Sequence, residues 1–151
     1  MLIKQLVILF LVSSIIVSCK KKEEDSNSCS TCNSGGGVAS AGFSYNINGG
    51  GTTIADSATY NVANRTITSY KQGISKRIVI KTSSQSPGTY NFTSAANTFY
   101  YIESVGTYYA TSGYITITAN ANNKISGSFS TGGTGGTSTT VSGNFTDIPR
   151  R

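Results

Sequence analysis

Lys124-Ile125-Ser126-Gly127-Ser128-Phe129-Ser130 and Val141-Ser142-Gly143-Asn144-Phe145 are the two stretches whose reading decides the fold. In the first, Ile125 and Phe129 fall on one face of an extended chain; in the second, Val141 and Phe145 do the same, with Ser and Asn between them. A period of two with one apolar side is the pattern of a half-buried β-strand, whereas an amphipathic helix repeats every 3.6 residues. Gly127 and Gly143 occupy the middle of those apolar faces and read as bends or bulges in curved strands rather than as ligand contacts. Between the two strands, Thr131-Gly132-Gly133-Thr134-Gly135-Gly136-Thr137 looks superficially like a phosphate cradle. It has no Lys and no following helix, so it reads as a mobile hairpin loop.

The same period runs back toward the N-terminus. Phe43, Tyr45 and Ile47 alternate with Ser44 and Asn46, and Asn48-Gly49-Gly50-Gly51 supplies a turn before Thr52 to Ala55. Ala58 to Val62 and Arg65 to Tyr70 follow, then Lys76 to Thr82, in which Ile78 and Ile80 share one face and Arg77, Val79 and Lys81 the other. Ser86-Pro87-Gly88 is a turn, because Pro fixes φ and Gly permits positive φ, and it leads into Thr89 to Phe92. Thr98 to Ser104, Thr107 to Thr111 and Gly113 to Ala119 complete the series. About ten short strands at roughly ten-residue intervals predict an all-β antiparallel fold, either a β-sandwich or a partly closed barrel.

Composition agrees: Thr, Ser, Gly, Asn and Tyr dominate the chain beyond its first residues, and the good helix formers are sparse there. A domain of about 110 residues can hold one core without obligatory disulfides or metals. The net charge of +6 raises the question of a polyanion partner. Lys20, Lys21 and Lys22, however, adjoin Glu23, Glu24 and Asp25 and nearly cancel. In the domain Arg65, Lys71, Lys76, Arg77, Lys81, Lys124, Arg150 and Arg151 face Asp56, Glu103 and Asp147 without any basic cluster interleaved with aromatics, so no nucleic-acid partner is expected.

At the N-terminus, Lys4 precedes an apolar run from Leu6 to Val17 that stops at Ser18-Cys19 before a block of charges. This is the layout of a secretory signal. A membrane span needs about 20 apolar residues, which makes the alternative of a stop-transfer helix the weaker one. Ile16-Val17-Ser18-Cys19 resembles the lipobox of bacterial lipoproteins, in which the signal is cut before the cysteine and that cysteine carries acyl chains such as palmitate. The expected organisation is a cleaved lipoprotein signal peptide over 1–18, a lipidated Cys19 with a flexible tether over 19–40, and a small all-β domain over 41–151. The expected location is the cell outer membrane, lipid-anchored, with the domain either surface-exposed or facing the periplasm. Lys20 to Asp25 resembles the charged export signals of surface lipoproteins in Bacteroidota, and reads equally as a plain solvated spacer. Cys29 and Cys32 form a Cys-x-x-Cys without the helix a redox centre uses or the further ligands zinc requires, since the chain has no His and three Cys in all. A local disulfide or an incidental thiol pair is expected there, with no metal and no cofactor.

The order of short motifs is itself familiar. Pro87-Gly88-Thr89-Tyr90, Gly113-Tyr114-Ile115-Thr116-Ile117-Thr118, Ile125-Ser126-Gly127-Ser128-Phe129-Ser130 and Val141-Ser142-Gly143-Asn144-Phe145-Thr146-Asp147-Ile148-Pro149 resemble an uncharacterised family of small Bacteroidota lipoprotein domains of unknown function. The likeness runs from about Ala41 to Pro149. It implies a small β domain on a lipid anchor and carries over no functional residue.

Catalysis is disfavoured by the residues present. Without His the commonest general base is missing, and a glycosidase would need two of Asp56, Glu103 and Asp147 face to face across about 5–9.5 Å. A hydrolase is therefore the weakest of three readings, and no catalytic residue is named. A binding module is the second reading: Tyr100, Tyr101, Tyr108, Tyr109 and Tyr114 crowd into neighbouring strands, and Tyr offers flat amphipathic surface to a glycan or an envelope protein. In each adjacent pair one ring should point inward and one outward. The leading reading is an outer-envelope lipoprotein with a non-enzymatic interaction or structural role, joined to membrane lipid through acylated Cys19.

Overall fold

The computed structural model describes residues 42–151 except residue 74. The leader, Cys19, the tether, Cys29 and Cys32 lie outside the described residues. Ten strands follow in chain order: β1 (Gly42–Ile47), β2 (Thr53–Ile54), β3 (Ser57–Asn61), β4 (Thr66–Lys71), β5 (Lys76–Lys81), β6 (Gly88–Asn91), β7 (Thr98–Glu103), β8 (Gly106–Ala121), β9 (Lys124–Thr134) and β10 (Thr140–Pro149). All pair antiparallel in one sheet of order β2-β1-β10-β9-β8-β7-β5-β4-β3, with β6 alongside β8. The sheet curls into a half-barrel, so the partly closed barrel, rather than the sandwich, is the architecture formed.

Curling brings the inward side chains of every strand onto one core. Phe43, Tyr45, Tyr60, Ile67, Ile78, Ile80, Phe99, Ile115, Ile117, Ile125, Phe129, Val141, Phe145 and Ile148 are all buried, each at the inward phase of its strand. Its centre is aromatic: the Phe43 ring lies 5.6 Å from Phe129 and 6.3 Å from Phe145, and Phe99 lies 5.3 Å from Phe129. The outward positions of β8 to β10 are largely Ser, Thr and Asn. That is the reverse of the apolar outer band a membrane-spanning barrel presents to lipid.

Two links draw the margins of the sheet together. Ala55 N donates to Phe43 O at 2.9 Å, whereas the next residue, Asp56, donates its N–H to Tyr70 O at 2.9 Å. Consecutive residues thus bond to strands near opposite margins. At the far end of β3, Tyr60 makes a parallel bridge to Arg150, and Arg151 N donates to Tyr60 O at 2.8 Å.

Tight turns set the register. Asn122 and Asn123, at φ 53° and 58°, close the β8–β9 hairpin, and Asn48 and Gly49, at 50° and 70°, follow β1. Paired positive φ values match the twist of antiparallel strands, and Asn tolerates them better than most residues with a side chain.

Three sequence expectations need correction. Thr107–Thr111 and Gly113–Ala119 are not separate short strands but one strand, β8, of 16 residues, continuous through a bulge between Ala110 and Ser112. The Gly/Thr stretch 131–137 is not all loop: β9 runs on to Thr134, and Tyr108 Cζ would stand 2.9 Å from a Cβ placed on Gly133. The remaining turn is held rather than free, since Thr137 donates from N and Oγ1 to Glu103 Oε1 and Thr139 and Thr140 donate to Asn48 Oδ1. Third, Gly127 and Gly143 are sites of close approach. Phe145 pairs with Gly127 and Phe129 with Gly143, and a Cβ at either glycine would meet the opposing ring at 2.6 and 2.7 Å respectively. Bulges do flank Gly127 on both sides, so the bend predicted there exists beside the close approach.

Gly127→Ala should therefore force the Phe145 ring and the Thr116 carbonyl to shift. The expected loss is about 1–3 kcal/mol, the usual cost of overpacking. Urea denaturation followed by circular dichroism checks this, and an unchanged midpoint would show that the ring is not seated on the glycine.

Candidate interaction surface

Strand alternation sorts the five candidate tyrosines. Tyr101 and Tyr108 are fully buried and are withdrawn as ligand-facing residues, because each lies at the inward phase of its strand. The Tyr101 ring packs 5.9 Å from Tyr45, and Tyr108 Oη shares a 3.0 Å hydrogen bond with Thr131 Oγ1. Tyr109 and Tyr114 remain 51% and 46% exposed, and Tyr100 is half-buried on the outer face.

Cross-strand register then assembles an outer strip. Tyr100 faces Tyr109 directly, and their rings meet edge to face at 5.4 Å and 87°. Tyr100 also pairs with Val79, which pairs with Thr68. In the adjacent outward row Tyr70 pairs with Arg77 and Arg77 with Ile102, and the Arg77 guanidinium stands 5.9 Å from the Tyr70 ring centre. The two rows form a mainly apolar and aromatic band across β4, β5, β7 and β8, carrying one cation on an aromatic face. Tyr114 is not part of it. It lies five residues further along β8, about 17 Å at strand rise, and pairs with Asn91 and Ser130.

Two open grooves border the band. One of about 360 Å³ runs among Tyr70, Lys71, Lys76, Arg77 and Ile102. The other, of about 390 Å³, lies where β8 changes partner from β7 to β6, among Phe92, Asn97, Tyr100, Tyr109 and Thr111. Both are near the lower limit of small-ligand sites. Asn97 fixes the second groove: its Oδ1 accepts Ser83 N at 2.7 Å and its Nδ2 donates to Asn91 O at 3.0 Å. Sequence reasoning missed Tyr70, Ile102 and Asn97. The signal for the first two was available, since Arg77 and Val79 were already assigned to the outward face of β5 and their neighbours must share it.

The carboxylates considered for catalysis are spread apart and engaged. Asp56 accepts Lys71 Nζ at 2.7 Å and Gln72 N, and these bonds hold its carboxyl below the usual range. Asp147 lies at the other end of the sheet, where it accepts Lys124 Nζ at 3.3 Å. Glu103 Oε1 holds the β9–β10 turn. Among the described residues no three or more Asp, Glu or Cys side chains gather at one point. Burial pushes the inward phenols up: Tyr45 to about 12, with Tyr101 adding to it, and Tyr101 well above its ordinary value.

Residues 44–149 match a family described as Domain of unknown function (DUF6252). No curated protein and no solved structure matches the chain.

The two buried phenols that pair across β7 and β8 on the inner face should respond differently to loss of their hydroxyls. Tyr101 Oη is buried with no hydrogen-bond partner among the described residues, so Tyr101→Phe should leave stability unchanged or raise it by about 1 kcal/mol. Tyr108→Phe removes the bonds its hydroxyl makes with Thr131 Oγ1 and Thr139 O, while Thr131 keeps its bonds with Val141, and should cost about 1 kcal/mol. Thermal unfolding of both variants checks the order. Raised phenol pKa values also make stability fully present below pH 10 and progressively lost as pH rises toward about 12, since the unfolded chain ionises Tyr45 first. Tyr45→Phe should blunt that alkaline loss in a pH series of urea midpoints.

Proposed function

The chain belongs to the DUF6252 family of domains of unknown function, and from that premise we propose that it is a lipoprotein of the bacterial outer envelope, acylated at Cys19, whose half-barrel acts by non-enzymatic interaction. The lipobox-like Ile16-Val17-Ser18-Cys19 after an apolar leader supports the anchor, and the motif order supports a source in Bacteroidota. Membrane lipid is then the first partner, through the acyl chains, because two or three chains hold a protein where one does not.

One observation carries the interaction reading: the Tyr100–Tyr109 pair with Val79, Ile102 and the Arg77–Tyr70 contact, a band that the register builds on the outer face while the core is already full. Flat Tyr surface with an apolar body and a polar tip suits a glycan ring or a protein face, and costs little side-chain entropy to present. The engagement of Asp56, Asp147 and Glu103 in local bonds supports a role without catalysis.

The test uses the native chain in cells, with a photoreactive residue in place of Tyr109 or, as control, exposed Ser142 on β10. Adducts to envelope glycan or protein should form at 109, be absent at 142, and fall at least several-fold with Tyr100→Ala. Equal labelling at both positions would overturn the band as a contact surface. Metabolic labelling with a palmitate analogue, abolished by Cys19→Ala, reads the anchor separately; retention of label in that variant would overturn the assignment of Cys19.

A further inference from the structure

Five of the eight cations in the domain lie at one end of the half-barrel. Arg65, at the β3–β4 turn, lies beside Lys81, because Thr66 pairs with Lys81 and Thr82 N donates to Arg65 O at 3.1 Å. Tyr60 in β3 bridges to Arg150, and Arg151 bonds back to Tyr60. Arg150 N in turn donates to Asn123 O at 2.9 Å in the β8–β9 hairpin, next to Lys124. These bonds link Arg65, Lys81, Lys124, Arg150 and Arg151 into one rim, and Arg65 and Arg150 both act on the Tyr60 hydroxyl, drawing its burial-raised pKa back down. Arg65, Lys81, Lys124 and Arg151 are exposed. Asp147, paired with Lys124, is the one carboxylate on this rim among the described residues. Asp56 and Glu103 sit at the opposite end, with Lys71, Lys76 and Arg77.

Resting on the lipoprotein reading above, we propose that this rim docks on the anionic headgroups of the membrane that holds the acyl chains. Each Lys or Arg near such a surface is attracted to it, with a range of about one Debye length, roughly 8–10 Å at moderate salt. A nucleic-acid partner fits less well, because among the described residues the rim carries no exposed aromatic on which bases could stack.

The experiment places the full lipidated chain in phosphatidylglycerol or phosphatidylcholine vesicles and acetylates its lysines briefly, reading Lys81 against Lys76 by mass spectrometry. Flotation with both kinds of vesicle reads the anchor. Docking predicts that the Lys81-to-Lys76 labelling ratio falls about tenfold in the anionic vesicles alone, and recovers at high salt and in the Arg65→Glu/Arg151→Glu variant. An equal ratio in both vesicles, with the protein floating in both, would overturn the docking while leaving the anchor standing. Failure to float in either removes the anchor and the docking with it. Protection of Lys81 by heparin or duplex DNA that anionic vesicles do not match would replace the membrane with a soluble polyanion and likewise overturn the proposal.

Discussion

Phe145 lies on Gly127 and Phe129 lies on Gly143, and the curl of the whole sheet depends on that interlock between β9 and β10. The concave face of a curled sheet has less area than its inward positions would need if all carried side chains. A glycine opposite a phenylalanine removes one claimant, so the ring can lie down across the neighbouring strand. Phe43 from β1 then stacks on both rings, and Phe99 from β7 reaches Phe129. The backbone is bent at the same place. Thr146 and Asp147 together oppose Ser126, and the extra residue raises the local twist. Asp147 adopts φ 55° there and donates its N–H to Ser126 Oγ at 2.9 Å.

How much of this the sequence discloses can be judged residue by residue. The period of two at Phe43-Tyr45-Ile47, Ile78-Ile80 and Ile125-Phe129 announces both the strands and their inward faces, because it depends on local geometry alone. The long β8 and the extension of β9 through Gly132 and Gly133 are hidden, since Gly and Thr in succession look like a linker until Tyr108 is known to lie against Gly133. Closure is hidden for the same reason: the opposed bonds of Ala55 and Asp56 and the Tyr60–Arg150 bridge join residues far apart in the chain. For the tyrosines, alternation requires that one ring of each adjacent pair be buried. Which one depends on phase against neighbouring strands, and it removes Tyr101 and Tyr108 from the candidate site while keeping Tyr100 and Tyr109.

The motifs that make the family resemblance specific are absorbed by this architecture. In Ile125-Ser126-Gly127-Ser128-Phe129-Ser130, Ile125 and Phe129 fill the core, Gly127 receives a ring and Ser126 secures the bulge. In Gly143-Asn144-Phe145-Thr146-Asp147-Ile148-Pro149, Gly143, Phe145, Asp147 and Ile148 have matching tasks. These stretches therefore mark a scaffold. The outer band of Tyr70, Arg77, Val79, Tyr100, Ile102 and Tyr109 lies on other strands altogether, where packing places few demands on residue choice.

Antiparallel pairing of β1 with β10 has a further geometric effect. Gly42 stands opposite Thr146, three residues before β10 ends at Pro149, and beyond it the chain reaches β3, where Tyr60 bridges to Arg150. The opposite end of the sheet is where β4 turns into β5 and β7 into β8. Tyr70, Ile102 and Tyr109 occupy that half of the outer face, and the basic residues Arg65, Lys81 and Arg151 the other. A domain docked by its basic rim would leave the aromatic band free without any dedicated orienting element, because strand order alone separates the two surfaces.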